Sequence, residues 1–152
     1  MKAPYRISRS RGTLRTLQDR KNVMRAGAAS DAACIFCAPD REILAESALS
    51  LAFADAHPVS PGHALVVPRR HVVTIFELND EEYADCFLLA RRVQELLAAR
   101  LQPDGFNMGV NCSEAGGQSV WHAHIHVIPR FNGDTPHPRG GVRNVIPRKA
   151  DY

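Results

Sequence analysis

Apolar and polar residues alternate most strictly over Val120–Ile128, where His122, His124 and His126 take every second position and Ala123, Ile125 and Val127 fill the places between. A period of two is that of a β-strand, whose successive side chains point to opposite faces. The pattern therefore predicts a strand over 119–129 with three imidazoles on one face and an apolar face turned to a core. A helix would scatter the three around its circumference. Upstream, residues 42–47 and 49–54 read as a hairpin, and 64–68 as a strand ended by Pro68. From Asn79 or Asp80, Tyr83, Phe87, Ala90, Val93 and Leu97 recur at helical spacing as far as about Leu101, and Pro103 and Gly105 stop the run. A further strand is expected near 106–111. Strands in antiparallel order with one long helix make the fold class α+β, and 152 residues suffice for one core.

Charge divides the chain. Residues 1–30 hold eight Lys or Arg and one Asp, a net +7, whereas residues 31–152 hold eleven basic and fifteen acidic residues, a net −4. The first thirty residues read as a basic, mobile arm without periodicity, able to brush nucleic acid or an anionic surface, and 31–152 as the folded domain. No apolar run approaches the ~18 residues of a membrane span, and no signal-peptide core is present. Four cysteines without a disulfide framework suit a reducing compartment, which makes a cytoplasmic location the expectation.

The chemistry concentrates around the histidines. Three imidazoles on one face supply nucleophile, ligand and proton-transfer groups near neutral pH. Consecutive positions on one face stand ~7 Å apart at Cα, so convergence of all three on a single ion is awkward. The preceding segment Asn111-Cys112-Ser113-Glu114-Ala115-Gly116-Gly117-Gln118-Ser119 offers a glycine pair for close backbone approach, followed by two neutral hydrogen-bond donors, which suits a phosphate oxygen. Cys34-Ile35-Phe36-Cys37, taken alone, is open between a redox pair, half of a zinc site and free thiols.

Gln118-Ser119-Val120-Trp121-His122-Ala123-His124-Ile125-His126-Val127 resembles the signature of the histidine triad (HIT) superfamily of nucleotide hydrolases and transferases. Phe53-Ala54-Asp55 and Pro61-Gly62-His63-Ala64-Leu65-Val66-Val67-Pro68-Arg69-Arg70-His71 resemble that family's ribose-binding strand and the strand after it. Pro138-Arg139-Gly140-Gly141-Val142-Arg143 is similar to the tail of many bacterial members. The resemblance implies a five-stranded antiparallel sheet with one long helix and a short helical segment, usually paired as a homodimer. It implies that His124 attacks the α-phosphorus of a purine nucleotide derivative, such as a dinucleoside polyphosphate or an adenylated compound, through a covalent nucleotidyl-histidine. His126 would make a charged contact to the phosphate, and Ser119 would bond the leaving-group oxygen. Gln118 and Asn111 would hold the phosphate, Asp55 the ribose hydroxyls, and His63 would lie in the substrate site. In zinc-bearing relatives a C-x-x-C pair is completed by histidines whose counterparts are His71 and His122, so Cys34, Cys37, His71 and His122 would hold a structural Zn²⁺. A non-catalytic nucleotide-binding module is the alternative, as is nucleotidyl transfer to phosphate or a sugar phosphate. Transferase relatives tend to carry Pro between the histidines, where Ala123 and Ile125 stand here.

Overall fold

The computed structural model describes residues 33–37, 39–147 and 149. The basic arm expected over 1–30 lies outside them. Five antiparallel strands, β1 (Ile43–Glu46), β2 (Ser50–Ala54), β3 (Ala64–Pro68), β4 (Gly105–Gly109) and β5 (Ile125–Arg130), form one sheet in the order β1-β2-β3-β5-β4. The long helix α1 (Asp80–Leu101) crosses one face, and short 3₁₀ turns occupy 75–77, 114–116 and 141–145.

The period of two sorts the strand residues between two faces. Ala52, Ala64, Val66, Ile125 and Val127 point to α1 and pack on its Cys86, Leu89, Ala90, Val93 and Leu97. Phe53, Leu65 and Val67 point the other way and pack under Phe36, with His126 paired opposite Leu65. One face of the sheet thus makes the core and the other carries the chemistry.

The helix begins where the sequence indicates. Asn79 accepts a hydrogen bond from the Glu82 backbone at 2.9 Å, and the Glu82 carboxylate accepts one from the Asn79 backbone at 3.0 Å. The fork of Arg70 closes on the same carboxylate at 2.7 and 2.6 Å. This pair fixes the segment carrying His71 to the start of α1. The buried stripe differs from expectation by rotation: Cys86 and Leu89 lie inside, whereas Tyr83 is exposed and Phe87 half-buried. The two aromatic rings lie against each other, tilted, at 4.8 Å along the helix flank, with Phe87 packed on the edge of the core.

Two strands are shorter than the pattern suggests. β4 ends at Gly109, which leaves Asn111 in the loop. β5 begins only at Ile125, so His122 and His124 precede it and do not share its ladder. Pro68 ends β3 and has no N–H to offer a partner. The stretch before Ile125 bonds instead to the segment after β3: Ala123 N–H donates to the Val72 carbonyl at 2.7 Å, and the Gln118 amide donates to the Val73 carbonyl at 2.6 Å. At the β2–β3 turn Gly62 has φ +83°, and a Cβ there would collide with the Leu101 side chain. Its absence lets the chain turn tightly into His63.

Candidate active site

The three triad histidines meet on the face of the sheet away from α1, although only His126 stands in a strand. The rings of His124 and His126 are 4.9 Å apart at an angle of 75°. Phe36, from the Cys34–Cys37 turn, sets its ring 5.4 Å from His124, 6.1 Å from His122 and 5.5 Å from Phe53. His122 is fully buried and His124 nearly so.

Backbone groups decide which nitrogen of each ring carries its proton, because a carbonyl only accepts and an amide only donates. His124 Nδ1 lies 2.8 Å from the carbonyl of His122 and therefore donates, which leaves Nε2 with a lone pair. His122 Nε2 donates to the carbonyl of Pro68 at 2.9 Å, so its Nδ1 lone pair faces the cysteines. The backbone N–H of Val59 donates to His63 Nδ1 at 3.3 Å. His63 then holds its proton on Nε2, which is 3.0 Å from His126 Nδ1. His126 accepts there and is left with an Nε2–H donor. Among the described residues, that Nε2 is the one buried side-chain nitrogen or oxygen with no hydrogen-bond partner. A buried donor without an acceptor is costly, and a phosphoryl oxygen beside it would satisfy it.

The charges follow. Burial pushes the His126 pKa down to about 4, with smaller contributions from His124 and His63. The sequence suggested a charged contact to phosphate at this position; burial favours the neutral ring, which still presents an Nε2–H to an oxygen. Burial likewise lowers the pKa of His63, against the opposing pull of Asp55. The Asp55 carboxylate lies 3.5 Å from His63 Nδ1, but that nitrogen already accepts from Val59, so the two groups are neighbours without a hydrogen bond. Asp55 also accepts the His57 N–H at 2.8 Å, so its role in the turn and its place at the site coexist.

The loop residues are less engaged. Gln118 is buried with both amide protons on carbonyls, of Val73 and Val120, and its oxygen accepts the Ser113 N–H at 2.8 Å. The structure thus turns Gln118 inward to brace the loop, where the motif suggested a phosphate contact. Ser119 is exposed and Asn111 half-buried, and neither bonds an imidazole among the described residues.

Cys34, Cys37, His71 and His122 come together from three separate stretches, their ligand atoms all within 4.8 Å of one another. Cys37 Sγ is 3.2 Å from His71 Nδ1 and 3.6 Å from His122 Nδ1, and Cys34 Sγ is 3.5 Å from His122 Nδ1. Tetrahedral zinc spaces sulfur and nitrogen ligands about 3.3 to 3.8 Å apart, so the set fits the ion. The Pro68 carbonyl on the far nitrogen of His122 is the outer contact such a ligand needs. Burial brings the His122 pKa down to about 4, only partly opposed by that carbonyl, and keeps the ring in the neutral form that a metal requires. The other two cysteines pack as expected. Cys86 is in the core, where burial pushes its thiol up to about 11, and Cys112 rests on Val72, Ile75 and Ala123.

Sequence reasoning missed Phe36, the residue that joins the cysteine turn to His124. Its place between Cys34 and Cys37 was the available signal. Missed too was Arg41, whose guanidinium lies over the Phe53 ring, 5.0 Å from its centroid.

Known proteins resemble this chain in sequence and in fold. The HIT domain family model matches residues 38–133. An adenosine 5′-monophosphoramidase of Schizosaccharomyces pombe is 41% identical over 104 residues, covering 65% of this chain and 75% of that protein. A bis(5′-adenosyl)-triphosphatase of Dictyostelium discoideum is 38% identical over 93 residues, 61% of this chain and 62% of that one. Among solved structures, a zinc-bound histidine triad family protein from Mycobacterium smegmatis superposes with a TM-score of 0.65 at 31% identity, covering 72% of this chain and 82% of that one. The chain belongs to the histidine triad family.

Proposed function

We propose that this HIT-domain protein hydrolyses nucleotide derivatives at the α-phosphate, cleaving phosphoramidate or phosphoanhydride bonds by way of a nucleotidyl group carried on His124. The relatives named as a phosphoramidase and a triphosphatase support a hydrolase acting on such bonds. The observation that carries the histidine chemistry is the 2.8 Å bond from His124 Nδ1 to the His122 carbonyl, which leaves Nε2 free as a nucleophile.

Each residue has a defined task in this reading. Nε2 of His124 attacks the α-phosphorus, and the group on the far side, a phosphate or an amine that has taken a proton from solvent on its nitrogen, departs with the bonding pair. As the N–P bond forms, the ring becomes positive, and the His122 carbonyl disperses that charge. The Nε2–H of His126 donates to a phosphoryl oxygen, its direction held by the chain from Val59 through His63. Ser119, exposed at the mouth, donates to the leaving group. Water then attacks the same phosphorus, releases a nucleoside monophosphate and restores His124. Zinc on Cys34, Cys37, His71 and His122 would supply structure, tying the Phe36 turn to the residues before β5. A homodimer belongs to the same reading, since β4 is an edge strand with Met108 exposed. No helix among the described residues is long and apolar enough to cross a membrane.

Purified protein offered AMP and GMP phosphoramidates and diadenosine polyphosphates should release mononucleotide from at least one class, measured by ³¹P NMR or chromatography. Tight binding of all of them with no release would overturn the hydrolase reading in favour of a binding module.

The ribose contact has its own test. Asp55→Asn keeps an acceptor for the His57 N–H and removes the charge, so affinity for a nucleoside monophosphate should fall about tenfold, from loss of a charge-assisted bond of roughly 1.5 kcal/mol. Exchanging the ribonucleotide for its 2′,3′-dideoxy form should cost the wild type at least as much. Calorimetry on all four combinations reads the coupling. Fully additive losses would mean that the carboxylate and the hydroxyls do not meet.

A further inference from the structure

The nucleotide reading leaves the base unassigned, and the wall of the site beyond the ribose carries one residue that no step of the hydrolysis uses. Contacts run round the site in a closed circuit: Asp55 to His63, His63 to His126, His126 to His124, His124 to Phe36, and Phe36 to Phe53. Phe53 closes it, two residues before Asp55 on an extended stretch that continues the β2–β3 ladder through the bond from Asp55 N–H to the His63 carbonyl. With phosphate at the histidines and ribose at Asp55, the base falls on the Phe53 side. Ile43, paired directly opposite Phe53, is partly exposed there, and Arg41 covers the Phe53 ring itself.

Arg41 differs from its neighbours in what it holds. Arg69, Arg70 and Arg130 each grip a carboxylate, Glu46, Glu82 and Asp134 respectively. Arg41 is half-buried, yet among the described residues its guanidinium has the ring face and no ion pair or hydrogen bond. A cation resting on an aromatic face keeps its planar fork of N–H donors available at its edge. That fork matches two adjacent acceptors. Guanine and hypoxanthine present N7 and O6, whereas adenine presents N7 beside an amino group, a donor that opposes another donor.

We propose that Arg41 reads the nucleobase and biases the site toward 6-oxopurine nucleotides over adenine nucleotides, a reading that rests on the nucleotide site proposed above. The test is calorimetric binding of GMP, IMP and AMP to the wild type, Arg41→Ala and Arg41→Lys. GMP and IMP should bind the wild type about tenfold more tightly than AMP, the low end of the discrimination expected from one bidentate contact. Arg41→Ala should bring the three within about twofold, and Arg41→Lys, which keeps the charge but loses the fork, should do nearly the same. A purely structural Arg41 would weaken all three nucleotides alike. Equal binding of GMP and AMP to the wild type, or a ratio unchanged in Arg41→Ala, overturns the proposal while mononucleotide release stands. Absent release with the binding ratio intact instead overturns the hydrolase and leaves the base reading in place. No binding of any of the three overturns both.

Discussion

His124→Ala should lower turnover by on the order of 10³- to 10⁴-fold while nucleotide affinity changes no more than about tenfold. The size of the difference follows from what the side chain does at each stage. In the ground state it is one neighbour of the phosphate among several donors, and one lost contact costs ~1 kcal/mol. In the transition state it makes the new bond, and nothing nearby can substitute. His126 has its lone-pair nitrogen turned to His63, and His122 has its own facing Cys34 and Cys37. Steady-state rates together with calorimetry read the two quantities separately. A second measurement guards against misfolding: acid-free quenching of the wild type during turnover, followed by mass spectrometry, should find the nucleotidyl mass on the peptide containing His124 and on no other. A mutant with near wild-type turnover, or a label on a different residue, would sink the nucleophile assignment.

What the sequence made legible was whatever depends on periodicity and short spacing. The alternation announced Ile125 and Val127 on the core face, with Ala123 buried against Val72 and Ile75, and Asn79 with Glu82 announced the helix start, because both are local patterns with local causes. The cysteine and histidine set was readable only through its resemblance to a family, since Cys34, His71 and His122 are far apart in the chain and converge through the sheet. The strand boundary before Ile125 was not legible. It is set by Gln118 and Ala123 reaching across to Val73 and Val72, and nothing in the alternation distinguishes residues paired in a ladder from residues pinned by such contacts. The protonation of His126 was equally hidden. It descends from a backbone N–H at Val59 through His63, and from burial, neither of which is written in the spacing of the triad. Gln118 shows the opposite case, a motif residue whose type suggested a ligand contact and whose amide the structure engages in holding the loop.

The cysteine turn gives the second large effect. Protein purified without chelator should hold close to one zinc per chain, and Cys37→Ser should lose both the metal and thermal stability. Cys37 is the sharper choice because its sulfur lies 3.2 Å from His71 Nδ1 and 3.6 Å from His122 Nδ1, within reach of both histidines at once. An ion bound only by the folded state stabilises it by ~3 to 4 kcal/mol when free zinc exceeds the dissociation constant a hundred- to a thousandfold. For a domain of this size that corresponds to roughly 10 °C in Tm. Cys112→Ser, at a half-buried position outside the ligand set, should keep its zinc. Turnover at a temperature where the mutant is folded should fall far less than it does in His124→Ala, because His124 takes its orientation from the backbone carbonyl of His122 and not from the metal. What the mutant loses is the anchor of the turn bearing Phe36, whose ring touches both His124 and Phe53. Its rate deficit should therefore appear mainly in KM and grow with temperature as that turn loosens. Metal analysis and a melting curve decide the matter: a metal-free wild type with the same Tm as Cys37→Ser would leave the four residues without an ion to hold.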